Sequence, residues 1–230
     1  MQRITITNMN TTTAVDFLSS SIDWCEINFV YTPYVAEFWN SLTSLFICVN
    51  GMVGMYYYPD VALLYATLVP IGLTSCYFHL SLSLLGQILD EFSIMFAIVV
   101  SLQYINLYIY RICNAYLLCL ANGVQILLIF GYPEYNRLFL FIYGFYLWKI
   151  FRHMRVTFGD ELSIYIATSE ILFIFSFCFW LIDYIFCVTF INFHALWHIL
   201  IGCVAYYLFK SIFFLNHIEN FHKNNGKMGY

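Results

Sequence analysis

The sequence predicts an all-α, polytopic membrane protein, a bundle of about seven transmembrane helices, and three observations carry that expectation. Of its 230 residues, 62% are hydrophobic and 10% are charged, with a mean hydropathy of +0.77, well outside the composition of soluble domains. The apolar residues fall in runs long enough to cross hydrocarbon, which takes roughly 20 residues per helix. The breaks between runs are brief, so no separate soluble domain fits. A net charge of −4 without any Lys/Arg cluster excludes nucleic acid as a partner, because phosphate binding needs concentrated positive charge.

Residues 1–34 form an N-terminal segment. It opens MQRITITNMNTTTAVDFLSS, polar and Thr-rich, and lacks the apolar core of a cleavable signal peptide. Membrane insertion is therefore expected to rely on the first span. Apolar runs bounded by polar, Pro or Gly residues place the spans at 35–56, 61–80, 88–110, 115–131, 135–151, 162–188 and 193–215. Residues 35–215 make up the transmembrane domain, and 216–230 read as a solvated tail.

Orientation follows from the basic residues. With the N-terminus outside, Arg111, Lys149, Arg152, Arg155, Lys210, Lys223 and Lys227 lie inside and only Arg3 and Arg137 lie outside, as the positive-inside bias requires. Asn10-Thr11-Thr12 then becomes an available lumenal glycosylation acceptor.

That topology sets the depth of each polar residue. His79 falls near the outer end of the second span, Asp90 in the first turn of the third, Asp183 near the outer end of the sixth, and His194 and His198 at the start of the seventh. An ionisable residue in hydrocarbon costs about 2.5 to 3.5 kcal/mol on insertion scales, so such groups persist mainly when paired, metal-bound or functional. Ser75 and His79 are four residues apart, as are His194 and His198, so each pair shares one helix face a turn apart. Three imidazoles and a water make a catalytic zinc arrangement with an open fourth position. HxxxH alone is better read as two histidines bonding neighbouring helices; His79, Asp90 and Ser75 at the same depth turn the expectation toward a metal site.

Before the first helix, DWCEIN and then Glu37 supply oxygen donors from Asp23, Glu26, Asn28 and Glu37 within fifteen residues. Hard oxygen ligands suit calcium. The spacing is not that of an EF-hand, and on the residues alone an acidic helix cap or a solvated lumenal face is the stronger reading. Cys25 and Cys187 would both face an oxidising compartment, either as a disulfide or as two unrelated buried thiols.

DWCEIN, AEFWNSLTSL, SCYFH, QILDE, FWLIDYIFC and FHALWHILIG occur in an order and spacing that resembles alkaline ceramidases. The Ser-xxx-His, Asp and HxxxH core is similar to that of a wider superfamily that includes adiponectin receptors. The resemblance implies a zinc-dependent amidase acting within the membrane on ceramide or a related lipid amide and releasing a sphingoid base and a fatty acid. It implies zinc on His79, His194 and His198, with Ser75 and Asp90 completing the active site and Tyr143, in FIYG, near it. It implies structural or regulatory calcium on Asp23, Glu26, Asn28 and Glu37 with the Trp24 backbone carbonyl, and a disulfide between Cys25 and Cys187. An endoplasmic reticulum or Golgi location with a lumenal N-terminus and cytosolic C-terminus is expected. The connection from Cys187 to His194 is much shorter than in the family, which bears on acyl-chain or headgroup preference.

The alternative is a seven-helix receptor or sensor with structural zinc and little or no hydrolysis. The DWCEIN loop argues against it. A transporter would spread its polar groups across the bilayer, whereas these crowd toward one side.

Overall fold

The computed structural model describes residues 19–105, 120, 123–124, 136–158, 160–188 and 191–224. Helix dominates the described chain: α1 (Phe38–Tyr57), a 3-10 turn (Pro59–Val61), α2 (Ala62–Ala66), α3 (Leu68–Ser81), α4 (Leu84–Ile105), α5 (Asn136–Phe158), α6 (Asp160–Phe186) and α7 (Phe193–Asn224). Pro59–Ser81, Leu84–Ile105, Ile164–Phe186 and Phe193–Ile218 are each long and apolar enough to cross a bilayer. The chain is an all-α membrane protein. All of the expected fourth span but residues 120 and 123–124, the glycosylation acceptor at Asn10 and the last residues of the tail lie outside the described residues.

Local chemistry accounts for the boundaries. Tyr58 precedes Pro59, and a residue before proline is pushed out of the helical region, so α1 ends there. The second span is expected as one helix but is divided after Ala66. Pro70 has no N–H to give the Ala66 carbonyl and its ring crowds that oxygen, which breaks the turn between α2 and α3. Leu82 closes α3 in the left-handed region at φ 46°. Two hydrogen bonds hold it, Leu82 N–H to the Phe78 carbonyl at 2.7 Å and Ser20 N–H to the Leu82 carbonyl at 2.9 Å. At the other terminus the tail is expected to begin at residue 216, yet α7 continues to Asn224. Residues 216–225 contain no Pro or Gly, so nothing stops the helix at the membrane surface.

α1 packs against both α3 and α7, α3 against α4, and α6 against α7. Glycine brings α1 and α3 together: a Cβ on Gly72 would lie 2.5 Å from the Cys48 backbone nitrogen and 2.8 Å from the Ser44 carbonyl oxygen. Small residues at such contacts are what membrane helices use in place of a hydrophobic driving force.

The apolar core, with Leu64, Tyr65, Ile105, Met154, Ile166 and Ile212 all buried, occupies one end of the bundle. The opposite end is polar and is covered by a strap, residues 19–36. Ala36 and Glu37 donate backbone N–H groups to the Leu80 and His79 carbonyls at 3.1 and 3.0 Å. A Cys25–Cys187 disulfide ties the strap to the end of α6. Of the two readings open for these cysteines, the disulfide is the one formed.

Candidate metal centre

His79 lies in the last turn of α3 and His194 and His198 in the first turns of α7, so two helix ends meeting at one level deliver all three rings. The ring centroids of His79 and His194 are 5.1 Å apart, those of His79 and His198 4.9 Å, and those of His194 and His198 4.6 Å. One ligand atom from each lies within 4.8 Å of the others, a group able to hold a metal ion. All three residues are buried.

The donor set fits zinc. His79 Nε2 and His194 Nδ1 are buried without a hydrogen-bond partner, an arrangement that costs about 1 to 3 kcal/mol per group unless something else takes the lone pair. Imidazole nitrogens are ligands for a borderline cation of the zinc type. The outer nitrogens support this. His79 Nδ1 lies 2.5 Å from Glu37 Oε2, and His198 Nδ1 sits 3.1 Å from Thr43 Oγ1. When ionised, the Glu37 carboxylate accepts from Nδ1, which leaves the Nε2 lone pair turned inward.

Glu37 is the N-cap residue of α1 and its oxygens are heavily used. Oε1 accepts the Trp24 N–H at 3.0 Å and Oε2 also accepts from Asn40 Nδ2 at 3.0 Å. Asp23 interacts with Glu37, carboxylate to carboxylate, and Asn28 Nδ2 donates to Asp23 Oδ1 at 3.2 Å, with Asn28 Oδ1 left buried and unpartnered. Facing carboxylates and a spare amide oxygen suit a hard cation. Glu26 stands slightly apart: its two oxygens accept the Trp39 and Asn40 N–H groups at 2.7 and 2.9 Å, capping α1. Burial pushes the Glu26 carboxyl up, against the pull of those N–H groups.

Ser75 sits one turn before His79 on α3, and Asp90 enters from α4. Both are buried and hydrogen-bonded to one another. Ser75 Oγ lies 3.5 Å from His198 Nε2 and accepts from Ser44 Oγ at 3.1 Å; Asp90 Oδ1 has no partner. Ser75, Asp90 and Trp197 lie at the head of a cavity of about 200 Å³ that runs between apolar walls to Ser101 and Leu208. Tyr143 is half-buried on α5, next to Gly144, which lines that cavity. Asp183 Oδ2 accepts the Cys25 N–H at 3.2 Å and so helps anchor the strap.

The three histidines that the sequence singles out do come together, with Ser75 near His198 and Asp90 bonded to Ser75, but the groups beside the rings are not foreseen. Glu37 was expected only as an oxygen donor to calcium, and Thr43 and the side chain of Trp24 were not expected at the site. One signal was available: Glu37, Asn40, Ser41 and Ser44 recur at helical spacing on one face of an otherwise apolar helix.

A model of the family described as Ceramidase matches residues 17–230. The chain is 30% identical to alkaline ceramidase 1 of Mus musculus, over 81% of this chain and 76% of that protein. It is 29% identical to alkaline ceramidase 1 of Homo sapiens, over 81% and 79%. It is likewise 29% identical to the alkaline ceramidase of Drosophila melanogaster, over 82% and 74%.

Proposed function

Since the chain belongs to the ceramidase family, we propose that it hydrolyses the amide bond of ceramide within the membrane, releasing a sphingoid base and a free fatty acid. The observation that carries this reading is the placement of Ser75 and Asp90 between the three-histidine group and the head of the apolar cavity. His79, His194 and His198 would hold zinc. Zinc so held supplies Lewis acidity, polarising a carbonyl and bringing the pKa of water toward about 7.

The chain's own residues do the rest. Asp90, with one oxygen unpartnered, takes a proton from the attacking water as the C–O bond forms. It returns that proton to the amide nitrogen as the C–N bond breaks, which an amine leaving group requires. Ser75 donates its hydroxyl hydrogen to the carbonyl oxygen as negative charge develops there, in a site already stripped of bulk water. Tyr143 would lie near the same reacting groups.

The cavity takes a hydrocarbon chain. From Asp90 to Ser101 along α4 is about 16 Å at the helical rise of 1.5 Å per residue, close to half of the hydrocarbon thickness of about 30 Å. A lipid lying in one leaflet can therefore enter sideways and keep its chain in apolar surroundings. Calcium on Asp23, Glu26, Asn28, Glu37 and the Trp24 carbonyl would be structural or regulatory, holding the strap over the site. We read α1, α5 and residues 115–131 as completing seven spans. The disulfide supports a strap facing an oxidising compartment, hence a lumenal N-terminus in the endoplasmic reticulum or Golgi.

The test is lipid-product analysis of the purified full chain with ceramide, with and without a zinc chelator, beside His198→Ala and Asp90→Asn. Sphingoid base should appear with the parent protein and fall by two orders of magnitude or more, roughly 10²-fold, in either variant, the scale of a lost proton-transfer group. Release unchanged in both variants removes the proposal. Bound zinc without product from the parent protein points to the receptor reading instead.

A further inference from the structure

The three imidazoles are not oriented alike. His79 is fixed by Glu37 and His198 by Thr43, each through the nitrogen that faces away from the cluster. His194 offers a buried, unpartnered Nδ1 to the cluster. Its ring also packs against two indoles. Trp24 stacks on it with ring centroids 3.7 Å apart and planes at 20°, and Trp197 flanks it at 4.9 Å and 29°. Trp197 belongs to the same helix as His194 and moves with it. Trp24 comes from the strap and supplies a reference outside α7.

Trp24 is itself held on every side. Its N–H bonds Glu37 Oε1 at 3.0 Å, its ring meets Trp180 of α6 edge-on at 5.9 Å, and the next residue is in the disulfide to Cys187. A ring so fixed can define the plane of whatever stacks on it, since aromatic pairs favour particular geometries beyond simple burial.

We propose that the Trp24 side chain is a positioning residue of the metal centre, its indole stacked on His194 to hold that imidazole in the rotamer that delivers a nitrogen to the metal. The proposal rests on the zinc reading above, and it assigns to the indole a role separate from that of the backbone carbonyl in the acidic loop. Ligands oriented by outer groups typically lose about 10-fold to 100-fold in metal affinity when those groups are removed.

The experiment uses the full chain purified in detergent, stripped of metal and titrated with zinc against a chelator of known affinity. A parallel series is loaded with cobalt(II), whose absorption bands report ligand geometry directly. Trp24→Ala should lose about 10-fold in zinc affinity and shift the cobalt bands. Trp24→Leu, which keeps apolar bulk without a ring face, should do the same. Trp24→Phe should recover most of both. Affinity and spectrum unaltered in Trp24→Leu overturn the proposal, as does a Trp24→Phe protein no better than Trp24→Ala. A parent protein that takes up no zinc overturns the metal reading itself, an outcome distinct from a zinc-binding protein indifferent to Trp24.

Discussion

At the scale of the residue, Glu37 concentrates more of the site's organisation than any ligand does. One carboxylate receives the Trp24 N–H, Asn40 Nδ2 and His79 Nδ1, and so fixes the strap, the start of α1 and a ligand ring together. With Glu37 ionised the His79 contact is charge-assisted, whereas the Thr43 contact to His198 is between neutral groups, and charge-assisted bonds are roughly twice as strong. Glu37→Gln should therefore lower zinc affinity by about 10-fold to 100-fold, and Thr43→Val by less, both read by chelator competition. Equal losses would mean that charge is not what orients His79. The sequence makes Glu37 conspicuous as an acid at a helix entrance but does not say where its oxygens point.

At the scale of the element, the α1–α3 contact sets the depth of the turn that carries Ser75 and His79. Gly72 lies three residues before Ser75 and seven before His79, and it presses against the backbone of α1 at Cys48 and Ser44. Even the single carbon of Gly72→Ala has no room there. Overpacking of this kind costs about 1 to 3 kcal/mol, so Gly72→Ala should lower the thermal midpoint of the metal-free protein and weaken zinc retention together. A variant with unchanged midpoint would show that α1 can move aside. Apolar run length announces α1 and α6 with boundaries close to those observed, whereas α4 begins at Leu84 rather than 88 and α7 runs on to Asn224 rather than 215. Run length does not announce the division of the second span, because Pro70 acts on a carbonyl four residues earlier within an unbroken apolar run.

At the scale of the whole molecule, the bundle is divided between a packed apolar end and a polar end under the strap, with the cavity joining them. Ala97 lines that cavity on α4, about two turns beyond Asp90. Ala97→Phe should fill the middle of the channel, so that long-chain lipid amides are rejected while zinc content and short-chain hydrolysis persist. Turnover compared across a series of acyl lengths measures this, and a uniform loss at every length would place the chain elsewhere.

What the sequence determined by itself is local. Composition and apolar run length require a helical membrane protein, and the four-residue spacings of Ser75 with His79 and His194 with His198 put each pair on one face. The tertiary structure alone decided which faces meet: Glu37 against His79 across 42 residues, Trp24 against His194 across 170, and Cys25 joined to Cys187 across 162. In lipid, the side of a helix that packs is hardly more apolar than the side that does not. Helix rotation is therefore set by glycine contacts and polar pairs between distant segments, which no single stretch of sequence contains.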